Sequence, residues 1–239
     1  MLARIGDNLP FVGDPLLNVY IKEPLQPAQA CVIWMHGLGA DAQDMAGLAE
    51  QLPLNVAVRH VFIDAPVRAV TVNNSMKMRA WYDITGFDLT DREDKVGVAD
   101  SEAIIRKVIT AQLDDGFTST QIFLAGFSQG GAMALYVGLR NSMPLAGVIS
   151  LSAYLPLAAE LHPELDRNTP FFIAAGQQDD VVSSLWTKQS VNWLHARSYR
   201  QISFHEYPMG HSICLPEIQD LGQWLTTQIS TLTASQGDK

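Results

Sequence analysis

The sequence predicts an α/β protein with a mostly parallel central sheet and helices on both faces of the sheet. Seven short apolar runs with the length of strands are spaced along the chain. Several of these runs are apolar at consecutive positions, as expected for strands that helices cover on both sides. Segments with helical periodicity alternate with the runs, which is typical of parallel strands joined by crossover helices.

The predicted strands and helices can be placed in order along the chain. The apolar runs occupy residues 16–22, 30–36, 60–65, 121–126, 145–152, 170–176 and 202–208. The segments with helical spacing occupy residues 98–115, 129–140, 184–197 and 216–231. In the first of these segments, Ile105, Val108 and Ile109 recur on successive turns, and Gly116 ends the pattern.

The chain is predicted to form one α/β domain over residues 1–239, because no repeat or linker interrupts the pattern. The irregular stretch 66–96 is longer than a connection between two elements needs to be. We therefore expect it to be an insertion that forms a wall or flap of a binding site. The polar tail, residues 233–239, is expected to fray.

Composition and charge exclude several classes of partner. The net charge of −9 argues against an extended phosphate-binding surface, and therefore against nucleic acid. No apolar run is long enough to span a bilayer, and the N-terminal residues lack the apolar segment of a secretory signal, so a cytoplasmic location is expected. Cys31 and Cys214 are expected to be free thiols that form neither a disulfide nor a metal site. Homodimerisation and transient contact with a membrane surface remain open.

Ser128 lies in a Gly-x-Ser-x-Gly motif, between Gly126 and Gly130. Such a motif either holds a nucleophilic serine on a sharp turn or is simply a tight turn that needs small residues. The predicted strand 121–126 precedes the motif and the predicted helix 129–140 follows it, as a nucleophile requires. This context favours Ser128 as a nucleophile.

A serine nucleophile needs a histidine base, and four histidines follow Ser128 in the chain. His162 lies in a polar stretch, His195 within a predicted helix and His205 within the last predicted strand. His211 alone follows a strand end in a loop marked by glycine, just before the last predicted helix. We therefore predict that His211 is the base.

The acid that orients the base should also follow a strand end. Asp179 and Asp180 both follow the predicted strand 170–176. The two carboxylates could instead cap the helix predicted over 184–197. The residues alone leave the choice between Asp179 and Asp180 open.

Acyl transfer also needs hydrogen-bond donors for the developing oxyanion. The backbone N–H of Gln129, at the start of a predicted helix, is one candidate. Leu38 is the other, because the sequence His-Gly-Leu-Gly at 36–39 follows a strand and its glycines allow backbone N–H groups to turn inward. His36 belongs to this loop and precedes the nucleophile, so we do not assign it as the base.

Five motifs in order resemble the phospholipase/carboxylesterase family, which includes the acyl-protein thioesterases and bacterial carboxylesterases. They are HGLGAD (36–41), MRAWYDI (78–84), LAGFSQGGAMA (124–134), GQQDDVV (176–182) and GHSIC (210–214). The resemblance extends over residues 17–231. It implies an α/β-hydrolase fold, a triad of Ser128, Asp179 and His211, and oxyanion donors at Leu38 and Gln129. The family usually has proline after the acid, where this chain has Asp180.

The resemblance also gives a role to the stretch 66–96. Trp81 resembles a residue at the mouth of the active site, and the apolar side chains of Val72 and Met76 resemble a flap that binds acyl chains. The alternative is that Val70, Val72, Met76 and Met78 form a two-stranded ribbon that contacts no substrate.

Together, these observations predict a serine hydrolase that acts on carboxylic esters or thioesters with an apolar acyl group and uses no cofactor or metal. The alternatives within the same class are an acyl-protein thioesterase, which would act on acylated proteins, and a lysophospholipase. A non-catalytic binding protein with a hydrolase fold is disfavoured, because such proteins usually lose a member of the triad and this chain keeps all three.

Overall fold

The computed structural model describes residues 18–86 and 93–237, and these residues form nine strands and five α-helices. The strands are β1 (Val19–Lys22), β2 (Ala30–Met35), β3 (Val58–Ile63), β4 (Val67–Val70), β5 (Met76–Arg79), β6 (Ile122–Phe127), β7 (Gly147–Leu151), β8 (Phe171–Gly176) and β9 (Ile202–Tyr207). The helices are α1 (Ala42–Gln51), α2 (Lys95–Asp114), α3 (Gln129–Leu139), α4 (Ser184–Ala196) and α5 (Leu215–Gly237). None of these helices is long and apolar enough to cross a membrane.

Seven strands form the main sheet, in the order β1-β3-β2-β6-β7-β8-β9. Only β1 is antiparallel to its neighbour, and every other pairing in this sheet is parallel. Helices cover both faces, so the predicted fold class is confirmed. Because β2, β6, β8 and β9 run in the same direction, the loops that follow them meet at one edge of the sheet.

The two faces of the sheet bury two separate cores. Along β2, Ile33 and Met35 pack on the face covered by α2, α3 and α4. Val32 and Trp34 pack on the opposite face, which α1 and α5 cover. Every residue of β2 is buried, which explains why this strand is apolar at consecutive positions.

Helix α1 was not among the predicted helices, although it forms one wall of the cavity described below. It begins with a capping box, in which the Asp41 carboxylate accepts the N–H of Gln43 and Asp44 accepts the N–H of Asp41. The Asp64 carboxylate accepts the N–H of Ala42, which fixes the helix start to the end of β3.

The predicted irregular stretch 66–96 contains regular structure. Strands β4 and β5 pair as an antiparallel ribbon, which is the alternative considered for this segment, and α2 begins at Lys95. Residues 87–92 of the stretch lie outside the described residues, as do positions 16–17 of the first predicted strand.

The tail predicted to fray from residue 233 is helical as far as Gly237, because α5 continues its backbone hydrogen bonding beyond the predicted end at 231. Leu232, the first residue beyond that predicted end, packs against the core. Residues 238–239 lie outside the described part of the chain.

Candidate active site

Ser128 lies on the sharp turn between β6 and α3. Its backbone has φ 53° and ψ −121°, a conformation that costs a non-glycine residue free energy. The Ser128 N–H donates to the Leu151 carbonyl over 2.8 Å, which holds the turn against β7. A Cβ atom on Gly126 would lie 2.3 Å from the carbonyl carbon of Gly130, and one on Gly130 would lie 2.1 Å from the carbonyl oxygen of Met35. The turn therefore requires both glycines.

His211 and Asp179 lie next to this serine, in the loops after β9 and β8. His211 Nε2 lies 2.8 Å from Ser128 Oγ, and His211 Nδ1 lies 2.8 Å from Asp179 Oδ2. The other carboxylate oxygen of Asp179 accepts the N–H groups of Val181 and Val182, over 2.9 and 2.8 Å. The Asp179 side chain is fully buried, whereas 18% of the His211 side chain is exposed.

This arrangement selects one tautomer of His211. A carboxylate can only accept, so the Nδ1 proton of the neutral imidazole points to Asp179. Nε2 is then free to accept the hydroxyl proton of Ser128. Asp180 is exposed and does not take part in the contact between Asp179 and His211. It does not cap α4 either, since Ser183 is the N-cap residue.

The other three downstream histidines lie away from Ser128. His162 and His195 are exposed on the surface. His205 lies on β9, where its ring stacks on Phe172 with a centroid distance of 5.0 Å. Its Nε2 is 2.8 Å from the hydroxyl of Ser203. These positions agree with the surface and packing roles expected from the sequence.

Leu38 and Gln129 line the same cavity as Ser128. Leu38 lies in the loop after β2, and Gln129 is the first residue of α3, so its N–H has no partner one turn earlier in the helix. Within the described residues, neither N–H group has a hydrogen-bond partner in the protein. A helix N-terminus and a glycine-rich loop therefore both offer donors to an anion in this cavity.

His36 holds the loop that carries Leu38. Its ring is buried, and Nε2 accepts the N–H of Ala65 over 2.9 Å. The other ring nitrogen, Nδ1, consequently carries a proton and donates to the Gly37 carbonyl over 2.7 Å. Burial lowers the pKa of His36 below its usual value, which favours this neutral form. Both ring nitrogens are occupied, so His36 is not available to act as a base.

The structure does not place Trp81 at the cavity mouth. Its side chain is fully buried, and its indole N–H donates to the His36 carbonyl over 2.9 Å. A buried indole N–H needs an acceptor, and this bond ties Trp81 to the loop of Leu38. Val72 is half-buried, Met76 is 64% exposed, and neither lines the cavity. Trp81, Val72 and Met76, which the resemblance placed at the substrate, are therefore not among the residues that line the cavity.

A cavity of about 730 Å³ opens beside Ser128. On one side it follows α1, and on the other it reaches the segment after β5 and the loop after Asp179. Most of its lining is apolar, and the sequence did not identify the lining residues outside the triad and the oxyanion donors. They include Ala40, Met45, Gly47, Leu48, Tyr82, Ile84, Phe127, Tyr154, Val181, Val182, Ile213 and Ile218.

Tyr82 and Ile213 lie within two of the motifs recognised in the sequence, so the motifs were a signal for them. Residues on α1 had no such signal, because that helix was not predicted. Residues 18–86 and 93–237 contain no group of three or more His, Cys, Asp or Glu side chains arranged to hold a metal ion.

The chain is similar to known proteins over most of its length. A family model described as phospholipase/carboxylesterase matches residues 17–229. The chain belongs to the phospholipase/carboxylesterase family. The match covers each of the five motifs and confirms the predicted family, together with the prediction that the protein is a hydrolase.

Two curated members of the family illustrate the similarity. Acyl-protein thioesterase 1 of Neurospora crassa is 37% identical over 214 residues, which cover 84% of this chain and 87% of the relative. Acyl-protein thioesterase 1 of Mycosarcoma maydis is 38% identical over 215 residues, which cover 82% of this chain and 90% of the relative.

Solved structures show the same fold. Acyl-protein thioesterase 2 of Zea mays has a TM-score of 0.76 and 26% identity, with 89% of this chain and 99% of that chain covered. The carboxylesterase of Bacillus cereus has a TM-score of 0.73 and 19% identity, with 93% of this chain and all of that chain covered. The α/β-hydrolase fold predicted from the resemblance is therefore confirmed.

Proposed function

We propose that this protein is a serine carboxylesterase that hydrolyses carboxylic esters or thioesters with an apolar acyl group, through an acyl-enzyme. The observation that carries the proposal is the contact of His211 with both Ser128 Oγ and the buried Asp179 carboxylate, each over 2.8 Å. Such a relay activates a serine hydroxyl that is otherwise a weak nucleophile.

In the first half of the reaction, Ser128 Oγ attacks the carbonyl carbon while His211 Nε2 takes the hydroxyl proton. The carbonyl oxygen becomes an oxyanion, which the N–H groups of Leu38 and Gln129 stabilise. Asp179 holds the imidazolium that forms. Collapse of the tetrahedral intermediate breaks the bond to the alcohol or thiol, which leaves with the proton from His211.

In the second half, water attacks the acyl-enzyme and gives its proton to His211. The second tetrahedral intermediate collapses, and the ester bond to Ser128 breaks. The serine recovers its proton, and the carboxylic acid is released. Apart from the substrate and water, each step uses only side chains and backbone groups of this chain.

The apolar lining of the cavity supports an apolar acyl group. Its volume of about 730 Å³ lies within the range of about 300–1,000 Å³ usual for sites of small molecules. Met45 and Leu48 of α1 line it together with Ile213 and Ile218, and these apolar side chains would cover a hydrocarbon chain from water.

An acyl-protein thioesterase is the second candidate function, because the curated relatives at 37% and 38% identity are named acyl-protein thioesterase 1. Lysophospholipase activity would use the same groups. A chain-length series of p-nitrophenyl esters, followed by an S-palmitoylated peptide, separates the carboxylesterase from the acyl-protein thioesterase. Hydrolysis of short esters without release of palmitate from the peptide would contradict the thioesterase.

Labelling by a fluorophosphonate tests the proposed nucleophile. The protein should be labelled and should lose its esterase activity in proportion. Ser128→Ala should abolish both labelling and hydrolysis, whereas Ser212→Ala, which removes a neighbouring hydroxyl in the same cavity, should still be labelled. Labelling of Ser128→Ala at the rate of the parent protein would overturn the proposal.

We also propose a single α/β-hydrolase domain, because the described helices pack on one sheet. A single cooperative unfolding transition is expected.

Cys31 and Cys214 are free thiols, which fits a reducing compartment such as the cytoplasm. Cell fractionation tests the compartment. Homodimer formation and lipid contact are tested by sedimentation velocity and by binding to vesicles.

A further inference from the structure

The side chain of Gln129 is buried and uses both ends of its amide. Its Oε1 accepts the backbone N–H of Trp81 over 2.8 Å, and its Nε2 donates to the carbonyl of Tyr82 over 2.7 Å. Only 4% of the residue is exposed. The amide therefore fixes the segment Trp81–Tyr82 to the start of α3.

The same segment is bonded to the loop after β2. The indole N–H of Trp81 donates to the His36 carbonyl over 2.9 Å, and the N–H of Gly39 donates to the Arg79 carbonyl over 2.8 Å. These two bonds lie on either side of Leu38 in sequence. A continuous path of hydrogen bonds thus runs from Gln129, through the segment 79–82, to the loop that carries Leu38.

We infer that the side chain of Gln129 is a positioning residue that holds the two oxyanion donors in register. Its own backbone N–H is one donor, and its side chain fixes the segment that holds the other donor, Leu38. The inference rests on the oxyanion site proposed above. It adds a role for a side chain, where the sequence indicated a role for the backbone of Gln129 only.

Oxyanion donors act because they are fixed before charge develops, so a donor that moves loses much of its effect. Without the Gln129 amide, the N–H of Trp81 and the carbonyl of Tyr82 would be buried without partners, and the segment would shift to recover them. Because the oxyanion exists only in the transition state, the loss should appear in kcat and leave KM nearly unchanged.

The test uses Gln129→Met, which keeps the length of the side chain and removes both hydrogen bonds. Removal of a complete oxyanion donor typically costs about 100- to 1,000-fold in kcat, so a displaced donor should cost about 10- to 100-fold. We expect Gln129→Met to lose kcat by this factor at similar KM. Gln129→Glu should not restore the rate, because its carboxylate can accept from Trp81 but meets the Tyr82 carbonyl as a second acceptor and adds negative charge beside the oxyanion.

A transition-state analogue distinguishes positioning from general damage. An alkyl trifluoromethyl ketone forms an oxyanion when Ser128 adds to it. Its affinity should fall in Gln129→Met by about the same factor as kcat, while affinity for the carboxylic acid product stays within about twofold. Equal losses of affinity for both ligands would contradict the inference.

Trp81→Phe keeps a ring in the core and removes only the indole donor to His36. It should also lower kcat, and the double variant Gln129→Met/Trp81→Phe should lose less than the product of the two single losses. If Gln129→Met does not fold, the test rests on Trp81→Phe alone. A kcat of Trp81→Phe within twofold of that of the parent then overturns the inference. A parent protein that lacks esterase activity would instead refute the proposed function.

Discussion

The carboxylate of Asp179 lies 2.8 Å from His211 Nδ1, while the adjacent Asp180 points to solvent. The direction of Asp179 is set by its second oxygen, which accepts the N–H groups of Val181 and Val182. Two adjacent and chemically identical side chains therefore have different environments. This difference provides a sharp test of the proposed triad.

Asp179→Asn should lower kcat by about 10⁴-fold, because the amide stabilises the wrong tautomer of the base. Asp180→Asn is the matched control and should keep kcat within about twofold. Steady-state kinetics on a soluble p-nitrophenyl ester measure both. A larger loss from the change at Asp180 would contradict the assignment of the acid.

Gly47 on α1 lines the cavity, and a Cβ atom there would meet no other atom within 4 Å. Gly47 is exposed, so a larger side chain at this position has open space beside the cavity and should not disturb the helix. Gly47→Leu should lower kcat/KM for long acyl chains by roughly tenfold relative to short ones. The measurement is the chain-length profile on p-nitrophenyl esters.

Gly47→Ala is the control for this change. Like Gly47→Leu, it should stabilise the helix by about 1 kcal/mol through its higher helix propensity. It adds too little volume to shorten the cavity. The profile of Gly47→Ala should match that of the parent. A Gly47→Leu profile that also matches the parent would mean that the acyl chain does not run along α1.

Ser128 should carry a cost in stability because of its positive φ. Glycine adopts this conformation freely, so Ser128→Gly should be more stable than Ser128→Ala by about 1 kcal/mol. Both variants lack the hydroxyl and should be inactive. Urea unfolding of the two proteins measures the difference, and equal stability would show that the turn is not strained.

Glu217 should make stability depend on pH. It lies in the first turn of α5 with no exposed surface, and burial raises its pKa to about 8. Unfolded, its pKa is about 4.3. The folded state therefore binds the Glu217 proton more tightly than the unfolded state does. The resulting contribution to the free energy of unfolding is full below pH 4, falls as pH rises and is lost above pH 8.

Glu217→Gln keeps the shape of the side chain and does not ionise. Its free energy of unfolding relative to the parent should therefore rise between pH 5 and pH 8, at up to about 1.4 kcal/mol for each pH unit. Urea unfolding at the two pH values measures this change, with the exposed Glu164→Gln as the control. If the difference in free energy of unfolding between Glu217→Gln and the parent is the same at both pH values, Glu217 is not a buried carboxyl with a raised pKa.

Much of the site could be predicted from the sequence, because its residues follow strand ends that the apolar runs locate. His211 was selected among four histidines by this rule, and Ser128 by its turn between strand and helix. The tie between Asp179 and Asp180 could not be broken in the same way. Which side chain turns inward depends on backbone bonds to Val181 and Val182, and sequence patterns do not contain these bonds.

Other parts of the structure had weak or misleading signals. Helix α1 has Asp44 at the position where a capping box usually has Glu or Gln, and Gly47 in its interior, so its pattern is weak. Trp81 was expected at the cavity mouth from its place in a motif. Its burial depends on an acceptor from His36, 45 positions earlier, which local pattern cannot indicate.

The acyl-enzyme at Ser128 is the intermediate on which the proposed reaction depends. Rapid acid quench of the protein during turnover of p-nitrophenyl butyrate, followed by peptide mass spectrometry, measures this intermediate directly. We expect a peptide carrying one butyryl group on Ser128. Hydrolysis at the full rate with no acyl group on Ser128, or with the acyl group on another residue, would contradict the proposed reaction.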